Sequence, residues 1–184
     1  MGTGGGRPVK ILLEGRPGVG KTTVARRLVD LLRGSGLRLA GFTTEEIRER
    51  GRRVGFAVES LAGGRGVLAH VDYPGPPTVG KYGVDLAEFE RIALPALEAD
   101  VDVVVVDELG KMELASPAFR AAMARLFDRE IALVATVHVH RHPLTDALKS
   151  RPGIEVVHVT KRKREALPRE LAARLRSSSP PASP

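Results

Sequence analysis

The chain has 184 residues, 42% of them hydrophobic and 28% charged, with no cysteine and a formal net charge of +7. That length suits one globular domain with a core of its own, and the lack of cysteine excludes a disulfide framework and a thiolate metal site. No apolar run approaches the ~18 residues of a membrane span, and the glycine-rich start Met1–Pro8 lacks the apolar centre of a signal peptide. A cytoplasmic, monomeric protein is expected. The positive charge raises nucleic acid as a partner. However, only 4% of residues are aromatic, tryptophan is absent and the arginines are dispersed. Base-stacking platforms are therefore scarce, and a solvated surface that attracts anionic nucleotides is the simpler reading.

In chain order, Val9–Leu13 reads as a short strand ending at Gly15, and Thr22–Leu32 as a helix with apolar residues at Val24, Leu28, Leu31 and Leu32. Leu37–Phe42 is a second strand. Thr43–Ser60 reads as a β-hairpin about Arg50-Gly51-Arg52, followed by a turn at 63–66 and a proline-rigidified loop at 72–78. Asp85 and Glu88 form a capping-box signature for a helix to about Ala99, with Pro95 a candidate kink. Val103–Val106 is apolar on both faces, as a central parallel strand requires. Ser116-Pro117 opens a helix to about Phe127, Ile131–Val137 and Ile154–Val159 are strands, and Arg164–Arg176 is a last helix. This alternation predicts a three-layer α/β phosphate-loop fold with a mostly parallel central sheet and an inserted hairpin. One domain is expected over residues 1–176, with a disordered Ser/Pro tail at 177–184.

The segment Gly15-Arg16-Pro17-Gly18-Val19-Gly20-Lys21-Thr22 matches the Walker A pattern without a mismatch, between a strand and a helix as the motif demands. Its glycines let successive backbone N–H groups turn toward a phosphate, and the helix start adds positive dipole at that point. Lys21 is expected to bridge the β- and γ-phosphates, Thr22 to ligate Mg²⁺, and Thr23 to line the same nucleotide site. Asp107-Glu108 follows the valine strand directly, a Walker B arrangement. Asp107 is the expected second metal ligand. Glu108, beside it, is placed to accept a proton from an attacking water. Gly110 follows in the same nucleotide-binding stretch.

A wider pattern then becomes visible: Gly41–Arg48, Gly51–Phe56, Val79-Gly80-Lys81-Tyr82, Leu94–Leu97, and above all Asp107-Glu108-Leu109-Gly110-Lys111-Met112-Glu113-Leu114. From about Val9 to Leu171 the chain resembles the small nucleoside-triphosphatase family first described from thermophiles, also called cancer-related nucleoside-triphosphatase. The resemblance implies Mg²⁺-dependent hydrolysis of ATP, GTP and other triphosphates to diphosphates with little base selectivity, on a fold related to RecA-like ATPases. Two positions depart from that family. Arg16 stands where relatives often carry proline, and Lys163 where they commonly carry asparagine.

Weaker candidates surround these motifs. Lys111 lies three residues after Glu108, within reach of a γ-phosphate, and Arg52 and Arg53 on the hairpin are candidate arginine fingers. His138, His140 and His142 alternate past a strand end, which suits surface imidazoles better than a metal site, although His138 is placed to sense the γ-phosphate or its water. The basic run Lys161–Arg164 is either solvated or a contact to a base or phosphate. Two rivals to hydrolysis remain at this level. One is a nucleoside or nucleotide kinase, distinguished by an acceptor other than water. The other is a nucleotide-switched RNA-binding module, distinguished by its salt dependence.

Overall fold

The computed structural model describes residues 8–178. Nine strands form a single sheet in the order β5-β6-β4-β3-β2-β7-β8-β1-β9. Its parallel half comprises β2 (Leu39–Glu49), β7 (Val103–Leu109), β8 (Ala132–His138), β1 (Lys10–Gly15) and β9 (Ile154–His158). At its centre, β7 and β8 are the β-branched, doubly apolar runs of the sequence. Val103, Val104, Val105 and Val106 are all fully buried, because both faces of this half are covered.

The two faces are separated by strand alternation. Ile11, Leu13, Val103 and Val105 pack with α1 (Lys21–Arg33) and α5 (Leu167–Ser178). Leu12, Val104 and Val106 point the other way, toward α2 (Leu86–Glu98) and α3 (Pro117–Asp128). On that second face Phe42, Phe89 and Phe119 meet edge to face, with ring centroids 5.0–5.8 Å apart. All three rings are fully buried, so Phe119→Ala is expected to lower stability by about 3–5 kcal/mol. A urea titration measures this directly.

Helix starts follow the expected capping chemistry. Asp85 Oδ1 accepts from Glu88 N at 2.9 Å and Ser116 Oγ from Phe119 N at 2.9 Å. The return half of the capping box is absent, since the Glu88 carboxylate pairs with Arg91 instead. Pro95 lies within α2, which continues to Glu98.

The fold class is as expected, but the sheet is more evenly mixed. β2 runs past Phe42 into the hairpin, and β3 (Arg52–Ser60), β4 (Arg65–His70), β6 (Tyr82–Val84) and β5 (Thr78–Val79) extend the same sheet through antiparallel pairings. The hairpin is thus continuous with the sheet rather than a separate insertion. Sequence patterning missed β4, β5 and β6 because they are short and interrupted by glycine and proline. It also missed α4 (Pro143–Ser150), where Pro143 occupies the first helical position and the His142 imidazole caps Leu144 N. The last helix begins at Leu167, three residues later than its pattern suggests, after a run of turns. Ser177 and Ser178 belong to that helix, and the rest of the expected tail lies outside the described residues. No helix among the described residues is long and apolar enough to cross a membrane.

Candidate active site

Parallel strands bring their carboxyl ends to one edge of the sheet, and the motifs collect there. β8 lies between β1, which leads into the phosphate loop, and β7, which carries the acidic pair. Its own carboxyl end therefore enters the middle of the site. Sequence motifs alone do not reveal this, because they record chain order rather than sheet order.

Gly18 and Gly20 take φ of 75° and 109°, the left-handed region that lets the loop curl inward. Gly20 is the N-cap of α1, with no side chain capping the helix start. Its first amide groups are left for an anion. Lys21 is buried and folds back over the loop, donating to Gly15 O at 2.9 Å. Arg16, Pro17 and Gly18 are exposed at the loop tip, while Val19 packs beneath it against Gly15.

The β7–β8 ladder is interrupted between Val106 and Leu109, where Asp107 and Glu108 sit on a cis peptide. Asp107 is fully buried, and its Oδ1 accepts from the Thr136 hydroxyl at 2.6 Å. Burial pushes the Asp107 carboxyl up to about 6 and Glu108 adds to this, while the hydroxyls of Thr136 and Thr22 draw it down. Its other oxygen, Oδ2, is buried without a hydrogen-bond partner. An orphaned carboxylate oxygen near a threonine hydroxyl, beside a phosphate loop, fits a hard cation. No group of three or more His, Cys, Asp or Glu side chains that could hold a metal occurs among the described residues. The Thr22 hydroxyl and Asp107 carboxylate would suit Mg²⁺, which takes few protein ligands and fills its shell with phosphate oxygens and water.

Glu108 stands between Lys21 and His138. Its Oε2 lies 3.6 Å from Lys21 Nζ and its Oε1 lies 2.5 Å from His138 Nε2. Burial alone raises its pKa, but the His138 hydrogen bond and charge, with Lys21, hold it below the ordinary glutamate range. It is therefore ionised at neutral pH. The other ring nitrogen of His138, Nδ1, is buried and unpartnered.

A cleft of about 540 Å³ opens over this floor, lined by Lys21, Thr22, Thr23, Arg26, Glu108 and His138, with Thr44, Arg53 and Phe56 from the hairpin strands. Arg53 is held in that wall by Tyr82 Oη at 3.0 Å and Glu46 at 2.7 Å, and lies over the Phe56 ring. Arg52, its exposed neighbour, does not line the cleft, and neither do Gly110 and Lys111. Those two line an adjoining pocket on the far side of Glu108, with Lys111 exposed. His140 and His142 also line that second pocket. From the basic run, Arg164 packs against the phosphate loop at Gly20, whereas Lys163 is exposed.

Three contributors were not singled out by sequence reasoning. Thr136 had a signal, a lone hydroxyl within an otherwise apolar strand. Arg26 had none beyond its helical position. Glu113, within the distinctive acidic stretch, is buried, and its carboxyl is pushed up to about 8 by burial and by the nearby Glu108. The folded protein thus keeps a proton that the unfolded chain gives up near 4.5. Stability from this group is full below that value and falls as pH rises toward 8. Glu113→Gln is expected to flatten this dependence, gaining on the order of several kcal/mol over the wild type at pH 9 relative to pH 5. Denaturant midpoints at the two pH values test it.

A phosphate loop and an acidic strand end, held at the carboxyl edge of a three-layer sheet, define a nucleotide-binding protein of the phosphate-loop class. The NTPase family model matches residues 10–172. The nucleoside-triphosphatase THEP1 of Thermotoga petrophila is 43% identical over 89% of this chain and 90% of its own length. The human cancer-related nucleoside-triphosphatase is 39% identical, over 91% of this chain and 97% of its own. Its solution structure superposes with a TM-score of 0.80, covering 92% of this chain and 98% of that one at 38% identity. The crystal structure of THEP1 from Aquifex aeolicus superposes with a TM-score of 0.81, covering 91% of this chain and 99% of that one at 32% identity. The chain belongs to this nucleoside-triphosphatase family.

Proposed function

We propose that the protein hydrolyses nucleoside 5′-triphosphates, ATP and GTP among them, to diphosphate and phosphate with Mg²⁺ and little preference for the base. The observation that carries this reading is the ionised Glu108, held between Lys21 and His138 on the floor of the phosphate cleft. A carboxylate there accepts the proton of a water attacking the γ-phosphorus, as hydrolysis requires. Lys21 leaves its loop carbonyls to bridge the β- and γ-phosphates, and the uncapped start of α1 receives the phosphate oxygens.

Thr22 and Asp107 would hold the metal, which when bound would neutralise charge developing on the phosphates. Thr136 fixes the Asp107 carboxyl through its hydroxyl, and His138 fixes that of Glu108. Arg53 and Arg26 are the cations in the cleft wall available to the transition state, once freed from Glu46 and Glu45. The residues gathered at the site address phosphates rather than bases, which supports broad base acceptance. The names of the relatives agree with the reaction. We read the enzyme as a cytoplasmic monomer.

The test is phosphate release from ATP, GTP, CTP and UTP, with Mg²⁺ and with excess EDTA. Release from all four with the metal, and none without it, is expected. Binding of a triphosphate with no release of phosphate from any of them would overturn the assignment.

A further inference from the structure

The pocket beyond Glu108 is larger than a hydrolytic water needs. It measures about 370 Å³, within the range of small-molecule sites. Its walls are largely apolar, from Phe56, Val79, Leu109, Met112 and Leu114, with the His138 and His140 imidazoles in a tilted ring pair 5.8 Å apart. It shares Thr44, Phe56, Glu108 and His138 with the phosphate cleft, so the two cavities meet at the proton-accepting carboxylate. A ligand in the second pocket therefore approaches the terminal phosphate from the side that water must use. Flat ring faces and apolar walls suit a base, and the Glu108 carboxylate suits a sugar hydroxyl.

We propose that this pocket is an acceptor site for a nucleoside, giving the enzyme a second activity as a phosphotransferase. This rests on the assignment of the phosphate cleft and Glu108 made above. In the transfer, a nucleoside hydroxyl oxygen attacks the γ-phosphorus and its proton passes to Glu108. The bond from the γ-phosphorus to the β–γ bridging oxygen breaks, and the nucleoside diphosphate leaves with that electron pair. The new phosphate ester remains on the acceptor. Water and nucleoside compete for one geometry, so an occupied pocket suppresses phosphate release.

The experiment follows γ-labelled ATP with Mg²⁺ in the presence of adenosine, guanosine, cytidine or uridine, separating free phosphate from labelled nucleoside. Wild type is expected to label at least one nucleoside and to release less free phosphate as it does so. Val79→Trp fills the pocket from the edge strand, away from the phosphate loop, and is expected to reduce labelling about tenfold or more while phosphate release persists. Met112→Trp, filling from a different element, should do the same and guards against a local fault at either position. Phosphate release without labelling of any of the four nucleosides would overturn the acceptor site and leave hydrolysis standing. Labelling unchanged in both filled variants would also overturn it. Neither release nor labelling in the wild type would overturn both readings together.

Discussion

Glu108→Gln is expected to lower phosphate release by two to four orders of magnitude while triphosphate binding survives, the range for loss of a positioned general base. The amide keeps the size and much of the hydrogen bonding of the carboxylate but does not take a proton from water. The substitution also removes the negative charge 3.6 Å from Lys21 Nζ. An incoming γ-phosphate then meets less repulsion, so affinity for ATP is expected to stay level or rise. Titration of ATP into the variant, alongside single-turnover hydrolysis, separates the two effects. Parallel loss of binding and turnover would place Glu108 among the ligand contacts instead. The pH profile gives a second check. His138 and Lys21 hold the carboxyl below the ordinary glutamate range, so release should stay insensitive to Glu108 protonation down to that range.

Lys21→Met is expected to reduce turnover by about 10²–10³-fold and to weaken triphosphate binding as well, since it removes a charge aimed at the phosphates. Methionine retains the apolar stem of a side chain that is only 6% exposed, so packing beneath the loop is preserved. The donor to Gly15 O is lost with the charge, and among the described residues no other side chain donates to that carbonyl. Diphosphate binding is the informative control. A lysine that bridges the β- and γ-phosphates contributes more to triphosphate than to diphosphate affinity, so the variant should narrow that ratio. Combined with Glu108→Gln, the loss should fall well short of the product of the two single losses, because both groups act on one transition state.

The parts of this enzyme that local chemistry dictates are visible in the chain itself. Gly18 and Gly20 announce a loop that only glycine permits, Lys21 and Thr22 follow at the helix start, and four successive valines announce a strand buried on both faces. Asp85 and Ser116 mark helix starts by their capping oxygens. Each of these depends on residues within a few positions of one another, so pattern suffices. The class of fold and the acidic strand end come from the same kind of signal.

What the tertiary structure decided is the company these residues keep. Sheet order places β8 between β1 and β7, which seats Thr136 on Asp107 and His138 on Glu108 across some thirty positions of chain. Spacing is silent on this, because lateral pairing follows from which apolar faces bury best together, a property of the whole core. The same holds for Arg53, drawn into the cleft by Tyr82, and for Arg164, laid against Gly20 from the far end of the chain. It holds again for Lys111, adjacent to the motif in sequence but turned to the neighbouring pocket. Sequence alone determined the phosphate loop, the acidic pair and the layers that carry them. Long-range packing determined which charges surround Glu108, because electrostatic environment is set by distance in space.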